Sequence, residues 1–470
     1  MDIALRSRYV KKEFNNCNED QILMSETKLI KTAFWNLQNL FGTYKNYIAT
    51  DFEFTPENGW TDSVKNTKLD NLSKIILSMD FGINGKEDRE PDLLGLSEVE
   101  DKDILQELIN RIGRDKYSIA DYKDSPDLRG IDVCLVHSRD IFELIDTKAY
   151  SIDFRYPTRD ILLTHLKVRS NDADLYILVN HWPSRRGKFE SCQPNDTAHA
   201  RNTVAESCGK IVDAILKIPK EELLQMPEEL LVHNNSTFLE KLENEWNKNV
   251  LVMGDFNDDP YDESVLRYLG GVPDIRFCRD WKEILELRVR EERNIKGISF
   301  KKYYLEESAA LFNCMWKLIA EPNIIENQTS ILGGKEQAQD PNVPGGTIHY
   351  WRDNRWSIFD QFVVSRGLYY GKQKLQIMLD SVRIAYNGLR LVDNLPPDRF
   401  DDSTDKTYHT DKKRIHPSLK STPMEFVFLK YYYNEETADF KADNRSIPQG
   451  RDANTGYSDH FPIQCMIKLL

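Results

Sequence analysis

Two short segments place reactive side chains where apolar runs stop. Met253 to Asn257 reads Met-Gly-Asp-Phe-Asn, and Tyr457 to Ile463 reads Tyr-Ser-Asp-His-Phe-Pro-Ile. A buried strand that ends in this way delivers polar groups to a cleft rather than to a core. If strand geometry persists past Gly254, Asp255 and Asn257 face one way, so a carboxylate and an amide converge. His460 beside Asp459 is a candidate general base, because nearby negative charge favours its protonated form and orients the ring.

Three further runs share the construction. Thr32-Ala-Phe-Trp-Asn36 ends in an amide, Asp92-Leu-Leu-Gly-Leu-Ser-Glu98 in a carboxylate, and Leu175-Tyr-Ile-Leu-Val-Asn-His181 in an imidazole. Glu98 is the first candidate metal ligand: hard carboxylate and amide oxygens select Mg2+ or Mn2+, and no Cys/His cluster offers a softer site. Asn36 also suits a turn that closes its strand, and Asp255 to Asp259 suits an ordinary turn before Pro260. Asp360, within Ile358-Phe-Asp-Gln-Phe-Val-Val364, is a carboxylate in an apolar strand and needs a partner. Ser458-Asp459-His460 cannot form a hydrolase triad, since adjacent residues point apart, and Gly333-Gly-Lys335 lacks the rest of a P-loop.

Those elements fix the organisation. Helical spacing appears at Leu69, Leu72, Ile75, Ile76 and Met79, again at Ile104, Leu105, Leu108, Ile109 and Ile112, and a helix is expected over 198–217. Strands are expected at 131–136, 160–168 and 174–181, which gives sheets covered by helices. Residues 1–28 read as a polar leader, and 29–470 as one domain whose site spans positions 36 to 460, with insertions near 219–248, 281–344 and 393–456. Such loops rim the strand ends, where substrate choice resides.

The 470 residues carry a net charge of −13, which opposes tight binding of nucleic acid unless a local basic patch or bound cations reverse the field. Arg185 and Arg186 form the sharpest basic cluster near a candidate residue, with Arg201 and Arg129 as further phosphate contacts; a solvated loop is the competing reading. Seven cysteines, odd in number and without a C-x-x-C pair, suit free thiols in a reducing compartment, hence a cytoplasmic location. No run approaches about 20 apolar residues, so no membrane span is expected.

Asn36, Glu98, His181, Gly254-Asp-Phe-Asn257, Asp360 and Ser458-Asp-His460 occur in the order found in the endonuclease/exonuclease/phosphatase superfamily, which the chain resembles from about Lys31 onward. The superfamily includes DNase I-like nucleases, apurinic-site endonucleases, inositol polyphosphate 5-phosphatases and neutral sphingomyelinases. Phe34-Trp-Asn-Leu-Gln-Asn-Leu-Phe-Gly42, Arg129-Gly-Ile-Asp-Val133 and Asn180-His-Trp-Pro-Ser-Arg185 resemble its uncharacterised bacterial members.

The resemblance implies a four-layer α/β sandwich: two mixed, mostly antiparallel sheets face to face, with helices outside. It also implies roles. Asn36, Glu98 and Asp459 serve Mg2+ or Mn2+, Asp459 either directly or from behind. Asp255 and Asn257 hold the attacking water, His181 donates to a phosphate oxygen, and His460, oriented by Asp360, removes a proton. The expected activity is divalent-metal-dependent phosphodiester hydrolysis, a nuclease first. The alternatives are a phosphomonoesterase, a phospholipid or sphingolipid phosphodiesterase, and a binding protein that keeps only the fold. The expected partner is a phosphate-ester substrate, nucleic acid first.

Overall fold

The computed structural model of the chain describes residues 28–43, 53–82, 90–113, 115–120, 124–154, 158–185, 196–226, 236–291, 304–320, 324–325, 338–339, 345–350, 355–385, 425–435, 437–447 and 452–470. The polar leader expected over 1–28 lies outside them apart from Lys28, as does most of the expected insertion over 393–456.

In chain order the strands are β1 (Leu29–Leu40), β2 (Leu93–Val99), β3 (Tyr117–Ile119), β4 (Asp132–Ser138), β5 (Phe142–Tyr150), β6 (Ile161–Val168), β7 (Asp174–His181), β8 (Val250–Asp255), β9 (Gly271–Val272) and β10 (Leu311–Asn313). Next come β11 (Ile324–Ile325), β12 (Ala338–Gln339), β13 (Ile348–Tyr350), β14 (Arg355–Ser357), β15 (Asp360–Val364), β16 (Leu375–Ile384), β17 (Lys430–Asn434), β18 (Asp439–Asp443) and β19 (Ile463–Leu469). One sheet has the order β16-β19-β1-β2-β4-β3 and the other β5-β6-β7-β8-β15-β10-β9. Most pairs are antiparallel; β1–β2, β7–β8 and the short β9–β10 pair are parallel.

Strand periodicity assigns the layers. In β8, Leu251 and Met253 enter the core between the sheets, whereas Val250 and Val252 enter a second core. That second core is closed by helices α3 (Asp196–Leu216) and α5 (Ser236–Trp246); α4 (Lys220–Gln225) adds Leu223. The first core runs through the other sheet to α1 (Asp62–Ser78) and α2 (Lys102–Ile112). Helix α2 buries Ile104, Leu105, Leu108, Ile109 and Ile112, the spacing read from the sequence, and its N-cap Asp101 accepts from two backbone N–H groups. The result is the four-layer sandwich that the resemblance implies.

The sheets approach closely at Gly95, where an added Cβ would stand 2.6 Å from Met253 Sδ. Cys134, Cys208, Cys278, Cys314 and Cys465 are buried as free thiols. Among the described residues no helix is long and apolar enough to cross a membrane.

Candidate active site

Strand direction collects the site at one end of the sandwich. Parallel β7 and β8 bring His181 and Asp255 to the same rung, and antiparallel β15 begins with Asp360 opposite Asp255. Directly opposed residues share a face. Three of the expected residues thus stand side by side, although they come from positions 181, 255 and 360. In the facing sheet Asn36 and Glu98 end the parallel pair β1–β2, and His460 precedes β19, which runs antiparallel to β1.

Glu98 owes its direction to a double break in register. Between the pairs Asn36–Ser97 and Leu40–Val99, β1 has three residues where β2 has one; β4 goes from Val133 to Asp132 across the same step. Glu98 is therefore an extra residue toward β4 and stands against two extra residues of β1, and it is left-handed (φ 61°), as are Gln38 (51°) and Asn39 (58°). Bulges re-aim side chains, and each non-glycine residue held in this conformation costs about 1–3 kcal/mol.

Asp255 is the hub. Its Oδ2 accepts from Asn36 Nδ2 at 2.9 Å and faces His181 Nε2 at 3.6 Å and His460 Nε2 at 3.7 Å. Its Oδ1 accepts from the Asn257 backbone N–H at 2.9 Å. Asn257 does not continue the strand. It is left-handed (φ 51°), and its Nδ2 donates to the Trp182 carbonyl at 2.9 Å. Asp255 thus meets the Asn257 backbone N–H through a turn, while the Asn257 side chain goes to Trp182. Gly254 permits the turn, since a Cβ there would meet the Asn180 carbonyl oxygen at 2.2 Å.

His460 is gripped on every side. Its Nδ1 stands 2.7 Å from Asp360 Oδ2, its carbonyl accepts from Trp35 Nε1 at 2.9 Å, and its N–H donates to Ser458 Oγ at 3.1 Å. Ser458 in turn donates to the Asn36 carbonyl at 2.7 Å. Burial alone would lower the pKa of His460, but Asp360, Asp255 and Asp459 outweigh it and hold the ring protonated well above the ordinary value. His181 goes the other way, lowered well below its usual range by burial and by the charges of Arg159, Arg129 and His460. Burial raises Asp255, helped by Asp360 and opposed by His460, and also raises Asp459, near Glu98.

The donor set fits a hard cation. Glu98 Oε2 accepts from the Asn39 N–H at 2.8 Å, while Oε1 faces His181 Nε2 at 3.8 Å and accepts no hydrogen bond among the described residues. Asn36 Oδ1 already accepts from the Gln38 N–H at 2.9 Å, so one lone pair remains for a metal. Asp255, Asp360 and His460 also lie close enough to share an ion, but the Asp360–His460 hydrogen bond occupies that space.

The expected arginine patch is not built as read. Arg185 packs over Phe359, donates to the Asn257 carbonyl and pairs with Asp258, Asp259 and Asp262. Arg201 is buried against Asp258 at 2.7 Å. Both brace the turn after Asn257 through internal ion pairs. Arg186 lies outside the described residues. Arg129 reaches Asn39 Oδ1 and acts on His181.

Sequence reasoning missed Arg159 and Lys68. Arg159 is buried, 2.9 Å from Asp127 Oδ2, and its charge is the largest single one acting on His181. Its signal was an arginine at the mouth of β6, whose start lies beside the end of β7. Lys68 interrupts the apolar stripe of α1 between Val64 and Leu72. Burial lowers its pKa to about 7, against the pull of Glu98 and Asp459.

Residues 31–228, which include Asn36, Glu98 and His181, match the model of the Endonuclease/Exonuclease/phosphatase family. Similar solved structures include an endonuclease/exonuclease/phosphatase family protein from Bacteroides thetaiotaomicron, 13% identical over 95% of this chain and 99% of that one, with a TM-score of 0.40. A mannosyl-6-phosphatase from the same organism is 12% identical over 93% and 99% of the two chains, with a TM-score of 0.38. The catalytic domain of human Nocturnin is 13% identical over 94% and 95%, with a TM-score of 0.37. No curated protein matches the chain. Over residues 31–228 the chain is therefore similar to the Endonuclease/Exonuclease/phosphatase family.

Proposed function

We propose that the chain hydrolyses phosphodiesters with Mg2+ or Mn2+, in the first instance as a nuclease. The observation that carries this reading is the hub: Asp255 faces Asn36, His181 and His460 at once, with Glu98 across the gap. Glu98, Asn36 through Oδ1, and Asp459 would hold the metal, which when bound neutralises phosphate charge and makes water more acidic.

The protein's own groups divide the remaining work. His181, kept neutral, donates through Nε2 to a phosphate oxygen; the carboxylates before that nitrogen favour its protonation. For His460 the electrostatics favour a donor over the expected base. A ring held protonated by three carboxylates is a donor at neutral pH, so its Nε2 meets charge that grows on the phosphate. Asp255 then accepts the proton of the attacking water, and its raised pKa makes it a better base than an ordinary carboxylate. Asn257 fixes Asp255 through its N–H.

Arg129 and Arg159 favour a second reading. Two guanidiniums that act on His181 suit a phosphate with a second negative charge, as in a monoester. Residues 29–470 are taken as one domain with the three insertions, and the buried free thiols suit the cytoplasm.

The test is a substrate panel for the full chain with Mg2+ or Mn2+: single- and double-stranded DNA, RNA, sugar and inositol phosphates, and sphingomyelin. Cleaved oligonucleotides support the nuclease. Turnover confined to terminal phosphates removes it in favour of the second reading.

A further inference from the structure

Lys68 is 1% exposed, on a helix whose neighbouring stripe is apolar. Among the described residues no carboxylate lies within ion-pairing distance of it; its ammonium donates instead to the carbonyl of Gln38 and, at 3.4 Å, to that of Asn39. Trp60 and Phe426 flank the charge at 5.9 and 5.3 Å. A methionine would fill the same volume without desolvating a charge, so packing alone does not account for a lysine here.

The two carbonyls belong to the left-handed kink that breaks the β1–β2 register. Out of step with the ladder, they need donors from elsewhere. Phe426 N–H holds the same kink from outside through Gln38 Oε1 at 2.7 Å. The consequence falls on Glu98, because the N–H of kinked Asn39 binds Glu98 Oε2 at 2.8 Å.

We propose that Lys68 is a positioning residue for Glu98: by holding the Gln38 and Asn39 carbonyls it keeps the Asn39 N–H on one carboxylate oxygen and leaves the other free for a divalent cation. The assignment rests on the reading of Glu98 as a metal ligand. Groups that orient a ligand from behind typically change metal affinity by about 10–100-fold when removed.

The experiment is calorimetric titration of the full chain with Mn2+, with thermal melts to verify folding. Lys68→Met is expected to weaken Mn2+ binding by about tenfold or more. Lys68→Arg, which keeps a cation able to donate to both carbonyls, should remain within about threefold of wild type on that scale. Lys65→Met, a change on the same helix as Lys68 that removes the ion pair with Glu107 of α2, should leave affinity unchanged. Activity of Lys68→Met should recover in part at high Mn2+. Should Lys68→Met not fold, Lys68→Gln carries the same expectation, since its amide is polar but one bond short of the carbonyls. Wild-type affinity in the Met or Gln variant overturns the proposal, and so does an Arg variant as weak as Met. Wild-type affinity in Glu98→Gln instead removes the metal-ligand reading beneath it.

Discussion

His460 Nδ1 lies 2.7 Å from Asp360 Oδ2, a contact across a hundred residues of sequence that joins the start of one strand to the approach to another in the facing sheet. Asp360 is fully buried, so the imidazolium is its countercharge as much as the carboxylate is the ring's. Asp360→Asn removes that charge and leaves the shape. It is expected to lower kcat by about 10²-fold or more while KM changes little. Steady-state kinetics on folded protein decide it, and a variant with wild-type kcat would contradict the assignment.

The pKa directions set a bell-shaped pH profile. Asp255 must be ionised to accept a proton, so activity rises with pH through a value above the usual carboxylate range. His460 must be protonated to donate, so activity falls again as pH passes its raised pKa, well above the ordinary histidine value. Were His460 the base, its deprotonation would raise activity and the alkaline fall would be absent. The kcat/KM profile separates the two.

Close approach makes Gly254 and Gly95 unequal. At Gly254 the obstacle is the Asn180 backbone carbonyl, which cannot move without its strand; at Gly95 it is the flexible Met253 side chain. Gly254→Ala is expected to cost more than the about 1–3 kcal/mol typical of overpacking and to displace Asp255. Gly95→Ala should fall within that range. Chemical denaturation gives the order, and equal losses would contradict it.

The arginines divide by partner. Arg201→Met leaves Asp258 short of a buried countercharge and should destabilise the fold by about 3 kcal/mol. Arg159→Met, which strips the buried Asp127 carboxylate of its partner at 2.9 Å, should destabilise the fold on the same scale and in addition raise KM for the phosphate substrate by about tenfold. A KM raised in Arg201→Met and not in Arg159→Met would return Arg201 to the substrate.

Strand ends were legible because a buried strand must be apolar, whereas the residue at its mouth is free to be polar. Asn36, Glu98, His181 and Asp255 all declared themselves in that way, and β15 and β19 supplied the other two. The double register break at Glu98 was not legible, since it depends on how three strands slide past one another. Arg185 misled because local basic density hides its partners: the acids that neutralise it, Asp258, Asp259 and Asp262, lie more than seventy residues onward. The sequence does not set Lys68 apart from the other lysines of α1 as one that turns inward. Only the fold shows that it reaches inward to the Gln38 and Asn39 carbonyls.

The central claim is that one divalent cation and the Asp255 hub together hydrolyse a phosphoester. The most direct test measures turnover of the best substrate by wild type and by Asp255→Asn, each with Mg2+ and then with excess chelator. The account predicts turnover abolished by chelator, restored by added Mg2+ or Mn2+, and reduced at least about 10²-fold by the substitution. Chelator-resistant turnover, or a wild-type rate in Asp255→Asn, would contradict it.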